Sequence, residues 1–447
     1  MYTKLDRIAE IARNKPKDKF TSLMHLVNKE MLTICHYELG GNKATGVDNV
    51  TKKEYGANLE ANIDDLLVRL KSFNYKPQPV RRVYIDKPGS DKKRPLGIPS
   101  HEDKIVQLAI NKILKSIYEQ DFLDCSFGFR ENRSCHDAIK ILDVYLSRRN
   151  INYVVDADIK GFFDNVDHKW IMKFLEHRIA DKNLLRYIGR FLKSGIMDEG
   201  QFHKVYDGTP QGGIISPTLA NIYLHYALDI WFNEFIKKRC KGQAYIVRYA
   251  DDFVCCFQYE DEAKAFYEAL KNRLGKFNLE VAEDKTKIVY FGKNAYEDRK
   301  FKRAWKLESY KDKTFDFLGF THYCSCSKSG RYRVKRKTSS KKCRASIKRV
   351  GEWLKENRSL PLTILMKKLK MKLVGYFRYY GITDNSKAIE SFRYLVRRLT
   401  FKWLNRRSQR KSYTWIRFDR MFKYFEMPKA KIYVNLFELN KEITYIL

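Results

Sequence analysis

The sequence predicts an α+β chain that ends in a basic helical module, and three observations carry that expectation. Short apolar runs of strand length alternate with amphipathic stretches through residues 150–320, a pattern of hairpins backed by helices. Leu and Ile recur at helical spacing before residue 80 and again after residue 340. The charge is lopsided: the 447 residues carry a net +35, and residues 331–447 hold +24 of it, with 32 Lys and Arg against 8 Asp and Glu. A hydrophobic share of 44% is too high for a disordered chain, so the charge sits on a folded body and implies a polyanionic partner.

Residues 1–80 read mainly as helices, as in YGANLEANIDDLLVRLKSF, where Leu59, Ile63, Leu66, Leu67 and Leu70 share a face. VRRVYIDKPGSDKKRPLGIPS reads as two short strands about a Pro-Gly turn, followed by a helix from Glu102 to Glu119. NYVVDADI, AYIVRY, FVCCF and KIVYFG read as strands, with helices at HKWIMKFLEHRI and DEAKAFYEALKNRLGKF. CSCSKSGRYRVKRKTSSKK is polar and basic, and reads as a connection to a separate module. Three amphipathic helices follow. Ile347, Val350 and Leu354 mark the first, Leu362, Leu365, Leu369 and Leu373 the second, and Ile389, Phe392, Leu395, Val396, Leu399 and Trp403 the third. The expected divisions are 1–80, 81–150, 151–325 and 326–447.

A membrane-spanning role finds little support. The longest uncharged run, Gly208 to Leu228, contains two prolines, a Gln, an Asn and a His. The N-terminus is too charged for a secretory signal. Nine cysteines at irregular spacings point to reduced thiols in a cytoplasmic protein. Cys324 and Cys326 lack the second pair that a zinc site needs.

Two acidic clusters carry the chemistry. IVRYADDFVCCF sets Asp251 and Asp252 in the middle of an apolar run, and VVDADIKGFFDNVDH sets Asp156 and Asp158 on one strand face, opposite Val155, Ala157 and Ile159. A hairpin turn accounts for the first cluster taken alone, and a salt bridge or turn for the second. Two strands that each present a carboxylate at one sheet edge could hold a pair of divalent cations for phosphoryl transfer. Both clusters in one strongly basic chain favour chemistry on a polyanion.

YADD between hydrophobic strands, preceded by DIKGFFD and TPQGGIISPTLANIYLHYALD, resembles the palm of a reverse transcriptase of the group II intron type. RRVYIDKPGSDKKRPLGIP resembles that family's fingers hairpin, SFGFRENRSCHDAI the segment after it, and GNKATGVDNVT its N-terminal extension. LEVAEDKTKIVYFG and FDFLGF resemble the later palm motifs. LVGYFRYYGI with its basic helices is similar to the family's thumb-like maturase domain. The resemblance covers almost the whole chain in the family's order. It departs at Asp86, where the family usually has proline, and at Glu131-Asn132, where a Pro-containing pair is more usual. No Cys/His-rich tail follows MPKAKIYV, so an endonuclease extension is not expected.

The resemblance implies a right-hand polymerase of fingers, palm and helical thumb/maturase domain. It would copy an RNA template from a DNA primer or target using dNTPs, and bind host intron RNA to assist splicing and retrohoming. Asp158, Asp251 and Asp252 become the catalytic carboxylates. They would bind two Mg2+ (Mn2+ able to substitute), most directly through Asp158 and Asp251, with the Ile159 carbonyl as a further ligand. Lys87 and Arg94 match residues that grip the incoming triphosphate, or else form a solvated basic hairpin. Phe163 lies where the family has a bulky residue against the sugar, with core packing as the alternative for it or for Phe162. Gln211 would support nucleotide and template, and Gly212 would let backbone approach closely. Lys285 reads equally as a proton donor to departing pyrophosphate or as a surface lysine. In the basic helices Lys348, Arg349, Arg393, Arg397 and Arg398, with Tyr379 and Tyr380, are the expected RNA contacts, about half of the aromatics being core. Two other readings remain open here. One is a related bacterial polymerase without an intron, serving phage defence or spacer acquisition. The other is a non-catalytic RNA-binding splicing factor. The oligomeric state is not legible.

Overall fold

The computed structural model describes residues 2–86, 93–198, 200–204, 207–208, 212–301, 313–408 and 412–440. Lys87 and Gln211 therefore lie outside the described residues. Four helices open the chain, at Tyr2–Asn14, Lys29–Glu38, Lys52–Ala57 and Leu59–Lys71. Of the face predicted for the last, Ile63, Leu66 and Leu70 are buried.

Strands β1 (Val80–Asp86) and β2 (Lys93–Ile98) pair antiparallel, as the hairpin reading requires. The helix His101–Asp121 follows, with Ser100 accepting from the Asp103 amide at its start. Next come β3 (Tyr153–Asp158), β4 (Ile196–Asp198), β5 (Gln201–His203), β6 (Ala244–Tyr249), β7 (Asp252–Phe257), β8 (Lys287–Tyr290), β9 (Thr314–Phe317), β10 (Phe320–Cys326) and β11 (Tyr332–Thr338). They form three sheets, ordered β2-β1-β4-β5, β6-β7-β3-β8 and β11-β10-β9. The fold is mixed α+β, as expected.

The sheet β6-β7-β3-β8 is covered on both faces, and its strands read as near-continuous apolar runs for that reason. Val155, Ala157, Phe253, Cys255 and Phe257 join a core made with the N-terminal helices and the helix His101–Asp121. Val154, Val247, Val254, Cys256 and Val289 face a second core, built from the helix Cys135–Arg148 and strands β9–β11. The first eighty residues thus share a core with the central sheet. A third core is that of the C-terminal helices Ser340–Asn357, Leu362–Tyr380, Ser386–Leu404 and Trp415–Tyr424. Three of these match the amphipathic stretches; the last was not foreseen, and buries only Phe418 and Phe422.

One expectation is corrected. The stretch read as a polar connection is the β10–β11 hairpin, and the division at 325/326 falls inside it. Its inward positions defeat a hydrophobicity pattern because two of them are polar and bonded to partners within the protein. Arg336 pairs with Asp143, and Thr338 receives a bond from the Asn385 amide at 2.9 Å. Among the described residues all nine cysteines are free thiols, and no helix is long and apolar enough to cross a membrane.

Candidate active site

Strand pairing brings the two acidic clusters together. β3 and β7 are antiparallel neighbours with Asp158 opposite Asp252. β6 and β7 form a hairpin whose last pair is Tyr249 with Asp252, leaving Ala250 and Asp251 as a two-residue loop. Such loops need positive φ at a central position, and Ala250 supplies it at 58°. The run is therefore a hairpin turn, and the turn carries Asp251 to the end of the sheet. There Asp158 and Asp251 line one cleft of about 640 Å³ with Ile159, Arg94, Phe129, Phe163, Gly212 and Lys285.

The electrostatics of the carboxylates follow from burial and crowding. Burial and then the charge of Asp158 raise the pKa of Asp251, while Arg94 and Arg248 oppose the rise. Burial, then Asp251 and Asp158, push Asp252 up to about 7. Asp156 is pushed up to about 7 by burial first and Asp252 second. Like charges held this close favour protonation unless a cation offsets them. The Lys285 ammonium lies 2.6 Å from the Asp158 carboxylate. That bond raises the Lys285 pKa, and gives this lysine a partner that neither sequence reading assigned.

Among the described residues no three Asp, Glu, His or Cys side chains converge on a ready-made metal cage. Mg2+ does not require one, because it binds through one or two carboxylates and completes its shell with water and substrate phosphate. Asp158 and Asp251, repelling each other across an open cleft, are a donor set that fits it.

The remaining expected residues divide. Arg94 stands opposite Ile85 in the β1–β2 hairpin and faces the cleft. Phe163 is half-buried on the cleft wall, while its neighbour Phe162 borders the same cleft at only 2% exposure, so Phe163 presents the more accessible ring. Gly212 has φ 115°, and a Cβ there would lie 2.6 Å from the Gly97 carbonyl, so only glycine lets this loop meet β2.

In the C-terminal helices the two expected aromatic RNA contacts are corrected. Tyr380 is 9% exposed and packs on Tyr376 and Phe320, which leaves no face for a base. Tyr379 stacks on Phe320 and donates its hydroxyl to the Leu318 carbonyl at 2.9 Å. It joins the helices to the β9–β10 turn instead of pointing outward. Arg393 donates to the Pro428 carbonyl at 3.0 Å, and Arg397 is paired with Asp419. Lys348, Arg349 and Arg398 are exposed.

Phe129 was missed. It is 49% exposed, lines the cleft, and has φ 60°. Its neighbour Gly128 touches the Ala250–Asp251 turn, where a Cβ would come within 2.4 Å of the Ala250 nitrogen. SFGFREN held the only signal, a glycine beside an aromatic, and that pair is too common to stand out.

Comparison with known proteins agrees with this geometry. A family described as reverse transcriptase (RNA-dependent DNA polymerase) matches residues 85–322, and one described as group II intron, maturase-specific domain matches residues 343–424. The group II intron-encoded protein LtrA of Lactococcus lactis subsp. cremoris is 41% identical over 222 residues, 49% of this chain and 37% of that protein. Protein YkfC of Escherichia coli K12 is 35% identical over 283 residues, 56% of this chain and 73% of YkfC. A putative COX1/OXI3 intron 2 protein of Saccharomyces cerevisiae is 26% identical over 332 residues, 72% of this chain and 36% of that protein. The chain thus spans little more than a third of the lactococcal relative's length.

Proposed function

Because this chain belongs to the reverse transcriptase family, with a group II intron maturase-specific domain after it, we propose that it copies RNA into DNA and binds intron RNA to assist splicing and retrohoming. One observation carries the reading. Asp158 and Asp251, far apart in sequence, line a single cleft with Arg94, Phe163, Gly212 and Lys285. In this reading β1–β2 belongs to the fingers, the central sheet is the palm, and the C-terminal helices are the thumb.

The chemistry is attack of a primer 3′-hydroxyl on the α-phosphate of a dNTP, releasing pyrophosphate. Asp158 and Asp251, with Asp252 behind them and the Ile159 carbonyl beside them, would hold two Mg2+. Bound there, the ions polarise the phosphate and offset the charge on the attacking and leaving oxygens. Arg94 answers the charge of the triphosphate from the facing hairpin. Lys285, whose ammonium lies beside Asp158 in the cleft, is placed to give a proton to the leaving pyrophosphate. The ring of Phe163 admits a deoxyribose and collides with a 2′-hydroxyl. Exposed Lys348, Arg349 and Arg398 meet RNA phosphates. The match over residues 343–424 supports intron RNA as the partner.

Primer extension on an RNA template tests the reading. Wild-type protein should extend the primer, and Asp251→Asn should abolish synthesis while RNA affinity stays within about twofold, since the change removes a metal-binding charge and keeps the volume. Near wild-type synthesis by Asp251→Asn would refute the carboxylate assignment.

A further inference from the structure

Arg248 lies three residues before Asp251, and its side chain is wholly enclosed. An arginine has five N–H donors, and here all five have acceptors. Nε and Nη2 hold the two oxygens of Asp229 at 2.7 and 2.5 Å. Nη2 also donates to the Ser126 hydroxyl at 2.8 Å. Nη1 donates to the Asn221 side-chain oxygen at 3.1 Å and to the Ala250 carbonyl at 2.9 Å. That last acceptor belongs to the peptide that joins Ala250 to Asp251, and Ala250 is the loop residue with left-handed backbone.

Stability alone does not account for the pair. An enclosed ion pair gains little over an apolar pair of similar volume, because both charges must leave water. An apolar pair, however, cannot hold a carbonyl at a fixed angle. The network also reaches a wall of the cleft. Asn221 donates to the Gly128 carbonyl at 2.7 Å, and Gly128 abuts the Ala250 nitrogen and precedes Phe129. One guanidinium therefore fixes both the turn bearing Asp251 and the segment bearing Phe129.

We propose that the Arg248–Asp229 pair is a positioning device. It holds the Ala250–Asp251 peptide in its strained conformation, so that the Asp251 carboxylate stands ready for a cation in the free protein. The assignment rests on the polymerase reading of the cleft. Its test therefore includes a measurement that needs no polymerisation.

Two full-length variants separate the possibilities. Arg248→Met combined with Asp229→Leu removes both charges and leaves neither unpaired. Arg248→Lys keeps the charge and loses the planar fork. Near-UV circular dichroism reports folding, Mn2+ titration followed by electron paramagnetic resonance reports cation binding, and primer extension reports turnover. The double variant should fold, bind Mn2+ about tenfold more weakly, and lose about a hundredfold in kcat, with template–primer affinity within about twofold. Arg248→Lys should fall between it and the wild type. Wild-type Mn2+ affinity and kcat in the double variant would overturn the proposal. So would loss of the near-UV signal in both variants, which would make the pair a prop of the fold. A wild type that binds Mn2+ but extends no primer refutes the polymerase reading, and the Mn2+ comparison still decides the role of Arg248.

Discussion

In the central sheet, Arg248 is enclosed and each of its donors is engaged, while in the C-terminal bundle Lys348, Arg349 and Arg398 stand in solvent. The first uses positive charge as a fixed directional joint. The second uses it as a field, in which no single residue has a required position. Charge of the first kind should fail sharply when one contact is altered. Charge of the second kind should fail gradually, with salt, in proportion to the number of cations removed.

The sharpest way to break this contrast is Gly128→Ala. The added Cβ would lie 2.4 Å from the Ala250 nitrogen, so the Ala250–Asp251 turn must move. kcat for primer extension should fall about a hundredfold, the scale of loss expected from a displacement of about an ångström at a reacting centre. A kcat near wild type would mean that the turn tolerates displacement and the directional account is wrong. Phe163→Val comes next. Removing a half-buried ring from the cleft wall should lower the dNTP-to-rNTP ratio of kcat/KM by about tenfold, the order expected when a steric exclusion is relieved. Single-nucleotide incorporation of dCTP and CTP measures it, and an unchanged ratio would assign the ring to packing.

The bundle answers to a different experiment. Replacing Lys348, Arg349 and Arg398 together with Gln should reduce the slope of log affinity against log salt by about two, with the single-turnover rate retained. An unchanged slope would remove these three from the RNA surface. The smallest effect concerns pH. Asp156 and Asp252 have folded pKa values of about 7 against an ordinary 3.8. The folded chain then holds more protons than the unfolded chain between those values, so metal-free stability falls as pH rises through that window. The metal-free Tm should drop by a few degrees between about pH 5 and pH 8, with Mg2+ recovering part of the loss. A Tm that rises with pH would contradict the crowding of the carboxylates.

The acidic clusters were legible because each interrupts an apolar run, and strand alternation alone places Asp158 away from Ala157 and Ile159. Their convergence on one cleft needed strand pairing that the sequence does not encode locally. The basic hairpin escaped notice because Arg336 and Thr338 face inward with partners far along the chain. Tyr380 groups with the exposed arginines in sequence because helical spacing gives a face but not its direction, and it is core. Phe129 depends on a positive φ that no side-chain pattern announces.

The β10–β11 hairpin has a consequence for building chimeras. At its start β11 is held by Tyr332, whose hydroxyl donates to the Leu146 carbonyl at 3.4 Å, and farther along by the Arg336–Asp143 pair. Its other end receives the bundle, where the Thr338 amide donates to Asn385 at 2.8 Å. A graft that joined a foreign bundle at residue 326 would separate paired strands and strip Asp143 of its arginine. A junction after Ser339 would carry the hairpin with the sheet it packs on, and leave the contacts of Asn385, Asp384, Tyr379 and Tyr380 to be matched by the incoming helices.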